Sequence, residues 1–252
     1  MPAPEVAEEA RKRGIEVHIL ERGDDARELA RAADADALGA GGGDGTLAAV
    51  ASAALERGLP FVCVPRGTRN HFARDLGLDP DDPVGALEAF AYGSERTIDI
   101  GRAGERIFLN NVGLGLYAGL VHERERHHIR HGITTTGRAL LRSISHRPEQ
   151  LTIGGERIPG RMVLASNNYY ELKLFALGRR QRLDEGRLHL YFATGILPTD
   201  WESYSGESFT IDSDSHELRA AFDGEPVVLE PPLELRIEPR ALRVLVPRDP
   251  GR

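Results

Sequence analysis

The chain has 252 residues, enough for one large domain or two modest ones, each able to bury a real core. A net charge of −7 argues against a protein that coats nucleic acid, and a single cysteine, Cys63, rules out an intramolecular disulfide or a cysteine-rich zinc site. No run reaches the roughly 18–20 apolar residues of a bilayer span. The opening "MPAPEVAEEARKRG" has no apolar core of a secretion signal, so the expected location is cytoplasmic, with peripheral contact at the inner membrane face left open.

In chain order, "PEVAEEARKRG" reads as a polar-faced helix ended by Gly14, and "IEVHIL" as an alternating strand. "DDARELARAA" opens with acids suited to a helix N-terminus and carries Leu29 and Ala33 at helical spacing. A short strand, "ADALGA", runs into the glycine loop "GAGGGDGT", and "TLAAVASAALERG" is an alanine-rich helix stopped by Gly58. "FVCV" is a buried strand with Cys63 as an inert thiol, and "DDPVGALEAFAYG" gives one more helix. Repeated strand, loop and helix predict a Rossmann-like parallel α/β domain over residues 1–97.

Beyond Thr97 the texture changes. "TIDIGRA", "RIFLNNVGLGLY", "LTIGGERI", "RMVLASNN", "GRLHLYFAT", "SFTIDS", "LRAAFDGEPVVL", "LELRIEP" and "ALRVLVP" are short strand candidates between Gly, Pro, Asn and Asp turns. They predict a β-sandwich over residues 98–252, its last residues packing back on the first domain. "GLVHERERHHIRHGITTTGRALLRSISHRP" breaks the rhythm and reads as helical.

A strand, a glycine turn and a helix make a natural anion site, because turn N–H groups and the helix dipole both favour phosphate. "GGGDGT" meets that condition without being a Walker A loop or a dinucleotide fingerprint. Asp44 in its middle suggests a metal contact or a general base; an ordinary turn capped by Asp44 is the bland alternative. A second loop, "PRGTRNHFARDLGL", also follows a strand and starts a helix near Asn70, where Thr68 and Asn70 can donate to phosphate or cap the helix. Two such loops at one sheet edge share the crevice in which α/β sheets bind ligands.

"GGDGT" followed by "P-x-G-T-x-N-x-F-A" resembles the diacylglycerol kinase catalytic domain family, which includes bacterial lipid kinases and sphingosine kinases. The resemblance continues through "ERTIDIGRAGERIFLNNVGLGLYAGLV", "SNNYYELK", "RLDEGRLHLYFATG" and "AAFDGEP", and covers nearly the whole chain from Gly23. "GGDGT" alone is shared with NAD kinases; the paired loops with a downstream "DGE" are the specific signal. The resemblance implies an ATP-dependent, Mg²⁺-assisted lipid kinase that phosphorylates a hydroxyl of diacylglycerol or a related lipid. Nucleotide and lipid would meet between the α/β domain and the sandwich. Gly42, Gly43, Gly45 and Thr46 would line the ATP phosphates, with Asp44 beside the transferred phosphoryl group. Thr68 and Asn70 would form the second phosphate-side loop, and Asp223 and Glu225 would complete the catalytic centre. The base is Asp44 or Glu225, the other acid serving Mg²⁺; the residues of a dedicated metal site stay unknown. Alternatives are an NAD kinase-like enzyme or a catalytically impaired lipid- or nucleotide-binding module.

Two departures stand out. Family members open with a strand ending in Asn-Pro and a glycine, whereas this chain opens in the following helix; either the start is placed too far downstream, which is the expectation, or the nucleotide site is incomplete. Arg69 and His71 replace the commoner Gly and Asp, and Arg69 either reaches a phosphate or is solvated. His127 and His131, spaced i,i+4, read as a solvated helix face because arginines surround them. The six arginines and five histidines of residues 121–150, against three glutamates, suggest contact with anionic lipid headgroups. Asp184 or Glu185 matches a family metal position, but a polar turn is the reading preferred here. Trp201, Tyr169 and Tyr170 read as packing or rim aromatics. The expected partners are thus a lipid substrate and a membrane surface, not nucleic acid, with a homodimer left open.

Overall fold

The computed structural model describes residues 2–67, 70–115, 118, 150–158, 162–173, 176–193 and 201–248. They fall into two units, Met1–Ile100 with Pro239–Arg252, and Gly101–Glu238. The first contains α1 (Ala3–Lys12), α2 (Ala26–Ala32), β1 (Leu38–Gly42), α3 (Asp44–Arg57), β2 (Phe61–Pro65), α4 (His71–Asp75), α5 (Pro83–Ala86) and α6 (Ala89–Tyr92). Strand β3 (Gly93–Ala103) carries the chain into the second unit, and the last strand, β16 (Leu233–Pro247), carries it back.

In the first unit β2 lies between β1 and the C-terminal part of β16, parallel to both. All five β2 residues are buried, as a central parallel strand requires, and Cys63 is among them. Helix α3 covers this sheet with Leu47, Val50, Ala51 and Ala54, a stripe at i, i+3, i+4 and i+7. It stops at Gly58, which adopts the left-handed conformation at φ 64°. Helix α2 starts where Asp25 accepts the N–H groups of Arg27 and Glu28.

Three local expectations are corrected. Residues 15–20, "IEVHIL", form no strand: Ile15 and Val17 pack partly against the Val62 and Val64 cluster, while Ile19 and Leu20 stay 43% exposed. Alternation supplies a face but no ladder partner, and among the described residues β1 pairs only with β2. "DDPVGALEAFAYG" is two one-turn helices, α5 and α6, rather than one. "LELRIEP" and "ALRVLVP" are a single long strand, β16.

The second unit holds β4 (Arg106–Phe108), β5 (Asn111–Gly115), β6 (Leu151–Ile153), β7 (Glu156–Arg157) and β8 (Met162–Asn167). It continues with β9 (Leu172–Lys173), β10 (Ala176–Leu177), β11 (Leu188–Ala193), β12 (Trp201–Gly206), β13 (Ser208–Ser213), β14 (Leu218–Phe222) and β15 (Glu225–Leu229). One antiparallel sheet runs β12-β11-β8-β5-β14-β15. A second antiparallel set joins the start of β16 to β13, β6 and β7. Alternate residues of both, such as Leu188, Leu190 and Phe192 against Leu233, Leu235 and Ile237, share one core. The period of two and the shared core are those of a sandwich. Strand β12 was not legible, because "WESYSG" is mostly polar and largely exposed. The helical reading of the "HERERHH" segment, with His127 and His131, lies outside the described residues.

Candidate active site

Strands β1 and β2 pair in register from Leu38↔Phe61 to Gly42↔Pro65, so their carboxyl ends stop side by side. The "GGDGT" and "PRGTRN" loops therefore leave the same sheet edge from adjacent strands, the arrangement in which α/β sheets bind ligands. The loops touch: a Cβ added at Gly67 would lie 2.9 Å from the Gly42 carbonyl oxygen and 3.2 Å from Gly43 Cα. Glycine at 67 is what lets the two backbones approach.

Gly43 is the N-cap of α3 and brings no side chain to cap it. The N-cap thus offers the first-turn N–H groups of α3 no side-chain acceptor, and the positive end of the helix dipole lies behind them. A Cβ at Gly43 would meet nothing within 4 Å, so that side of the loop is open. Gly42 is different, since the Thr46 side chain lies over it at 3.1–3.3 Å from where a Cβ would stand. Gly45 and Thr46 follow in the first turn of the same helix, and half-buried Asp44 opens it. Burial, with the Asp44 charge added, pushes the Cys63 thiol up, which keeps it protonated and inert.

In the second loop Thr68 and Arg69 lie outside the described residues. Asn70 takes the left-handed conformation at φ 48° and does not cap α4. Its Oδ1 instead accepts the Gly67 N–H at 2.6 Å, closing the loop on itself. Fully buried Phe72 anchors the helix that follows, its ring 6.4 Å from that of Phe61.

In the second unit Asp223 and Glu225 flank Gly224 in the two-residue turn joining β14 to β15. Asp223 at φ 48° and Gly224 at φ 88° give both central residues the positive φ of a tight hairpin turn. The two acids differ sharply. Asp223 is buried, and its carboxylate accepts the N–H groups of Leu109 at 2.8 Å, Asn110 at 2.7 Å and Asn111 at 3.0 Å. Its own N–H donates to the Asn111 carbonyl. Glu225 is exposed at the start of β15.

The residue that sequence reasoning missed is Arg180, only 1% exposed. Nη1 donates to the carbonyls of Leu109 and Asn167, Nη2 donates to Asn110 Oδ1, and the guanidinium lies 5.0 Å from the Tyr170 ring centre. Asp223 holds the N–H side of residues 109–111, and Arg180 holds the carbonyl side. No local signal marks Arg180, because Arg179 and Arg182 beside it are exposed. Glu185 serves a turn: its carboxylate accepts the Tyr169 N–H and meets His189 Nε2 at 3.2 Å. Among the described residues there is no group of three His, Cys, Asp or Glu that could cage a metal.

Residues 2–103 match the diacylglycerol kinase catalytic domain model. A protein of Klebsiella pneumoniae (strain 342) named "Probable lipid kinase YegS-like" is 27% identical over 95% of this chain and 89% of its own. The diacylglycerol kinase of Bacillus subtilis (strain 168) is 36% identical over 35% of this chain and 30% of its own. A solved diacylglycerol kinase of Bacillus anthracis str. Sterne, 16% identical, shares the fold at a TM-score of 0.68 over 100% of this chain and 93% of that one. Paired glycine loops at one sheet edge and an antiparallel second unit agree with these likenesses: residues 2–103 match the diacylglycerol kinase catalytic domain, and nearly the whole chain is similar to a protein named a probable lipid kinase.

Proposed function

We infer that this lipid kinase moves the γ-phosphoryl group of ATP to a hydroxyl of diacylglycerol or a related lipid. The observation that carries the reading is the register of β1 and β2, which brings an uncapped helix N-terminus and a second glycine loop together. The residues fit a polyphosphate: open space at Gly43 and a helix N-terminus that the N-cap residue does not cap with a side chain. Gly42, Gly43, Gly45 and Thr46 take the phosphates in this reading, with Thr68 and Asn70 beside them.

Phosphoryl transfer depends on alignment and charge neutralisation more than on covalent chemistry. Mg²⁺ would neutralise phosphate charge, and one or two carboxylates would be enough to hold it. Asp44 or Glu225 accepts the proton of the lipid hydroxyl, and the other acid serves the metal. Asp223, holding three backbone N–H groups, supports the turn that presents Glu225. The basic segment 121–150 meets anionic headgroups, so charge reversal at Arg124, Arg126 and Arg130 lowers affinity for acidic vesicles.

The deciding experiment incubates the protein with γ-labelled ATP, total lipid extract and NAD. Label in a lipid phosphate that Asp44→Asn abolishes supports the reading; label in NAD and in no lipid replaces it with the NAD kinase alternative.

A further inference from the structure

A cavity of about 250 Å³ opens beside the second loop, lined by Pro65, Arg66, Gly67, Asn70, Arg74 and Asp81, among others. It carries two guanidinium groups against one carboxylate. Elsewhere in this unit Arg27 and Arg31 hold Glu56, Arg243 holds Glu95, and Arg57 donates to the carbonyls of Ala30 and Ala33. Arg66 and Arg74 have no such partner among the described residues, and Arg66 Nε is shielded from solvent without a hydrogen bond there. Of the neighbouring acids, Asp82 accepts the Gly85 N–H and Asp79 the Asp81 N–H, and Asp81 itself lines the cavity.

A guanidinium placed in a cavity with an unused donor is a costly arrangement unless something accepts that donor. Arg66 supplies that unused donor, and exposed Arg74 lines the same cavity, which is large enough for a tetrahedral oxyanion of the kind arginine binds. The pocket adjoins the glycine loop. The Arg66 stem runs past the end of β1, where a Cβ at Gly41 would lie 3.5 Å from Arg66 Cδ. Gly67, which also lines the cavity, touches Gly42 and Gly43.

We propose that Arg66 and Arg74 form a phosphate-binding pocket beside the glycine loop. Its ligand is a phosphate group, carried either by the nucleotide or by the phosphomonoester head of a lipid. The site stands on its own geometry and is independent of which lipid is the acceptor.

The test is calorimetric titration of the full chain with pyrophosphate at low salt, a binding assay that needs no turnover. The Arg66→Gln/Arg74→Gln double variant should lose affinity on the order of 10-fold or more, as expected when charge-assisted hydrogen bonds are removed. Arg66→Lys should recover part of the loss, and Arg96→Gln, an exposed site elsewhere on β3, should bind like wild type. Wild-type affinity in a folded double variant overturns the proposal, because the pyrophosphate then sits on the α3 N-terminus alone. Should Arg66→Gln fail to fold, exposed Arg74→Gln must still weaken binding several-fold, and unchanged affinity there overturns it equally. Parallel titrations with ATP and with phosphatidylcholine vesicles containing phosphatidic acid identify the source, by whichever affinity falls with pyrophosphate. Pyrophosphate binding lost in the variants of a protein inactive on every lipid sinks the kinase reading and keeps the pocket; the reverse result keeps the kinase and removes the pocket.

Discussion

Asp44 and Asp223 are the same residue type beside glycine, and their surroundings differ. Asp44 opens a helix whose preceding glycine faces open space and whose first-turn N–H groups have no capping side chain. Asp223 is buried in a hairpin turn, where three N–H groups from one segment converge on its carboxylate. Three backbone donors tie the Asp223 carboxylate to its turn. Asp44 stands at a helix N-terminus that has no capping side chain, which is why it is the acid proposed to meet the ligand.

The sharpest way to break that contrast is a pair of substitutions. Asp44→Asn should lower turnover roughly 10²–10⁴-fold, the range for a lost general base. Its stability should stay within about 1 kcal/mol, since the amide keeps the shape of the side chain and loses its charge at the helix N-terminus. Asp223→Ala should do the reverse, costing about 3 kcal/mol because buried donors lose a charged acceptor. Chemical unfolding midpoints and initial rates on both variants decide it; a stable, inactive Asp223→Ala would erase the distinction.

The glycines give a smaller effect. Gly67→Ala forces a Cβ to 2.9 Å from the Gly42 carbonyl oxygen, so the loops must part, at a cost of about 1–3 kcal/mol. Gly43→Ala has open space and an ordinary φ of −74°, and should shift stability by no more than about 1 kcal/mol. Only a ligand would notice that methyl group, so ATP should bind several-fold more weakly, measured as KM. An unchanged KM would move the phosphates away from Gly43.

The smallest effects lie at the pH extremes. Burial pushes the Tyr191 hydroxyl up to about 12, where it accepts the Tyr170 N–H and donates to the Tyr170 carbonyl. Its folded value stands above the free value of 10.0, so its contribution is complete below that pH and drains as pH rises towards 12. Tyr191→Phe should flatten the alkaline limb of the unfolding curve. Glu56 moves the other way, held down to about 2 chiefly by its hydrogen bond from Arg31 and then by Arg27. Its contribution is present above 4.5 and lost as pH falls through about 2, a loss that Glu56→Gln should remove from the acid limb.

Much of the fold was legible because it is written in local rules. Gly58 ends α3, Asp25 starts α2, and alternation marks the sandwich strands, each a signal spanning a few residues. The glycine loop was legible for the same reason, since a strand, a turn and a helix N-terminus are consecutive. Tertiary structure alone decided three things. It denied "IEVHIL" a strand, because a ladder needs a neighbour that periodicity cannot supply. It chose Arg180 for burial over the adjacent Arg179 and Arg182, because its acceptors are carbonyls of Leu109 and Asn167. And it divided the "DGE" acids, tying Asp223 to Leu109 across 114 positions of chain while leaving Glu225 exposed. Backbone conformation is set within a turn or two of sequence. The fate of a charge depends on which distant backbone groups come to surround it.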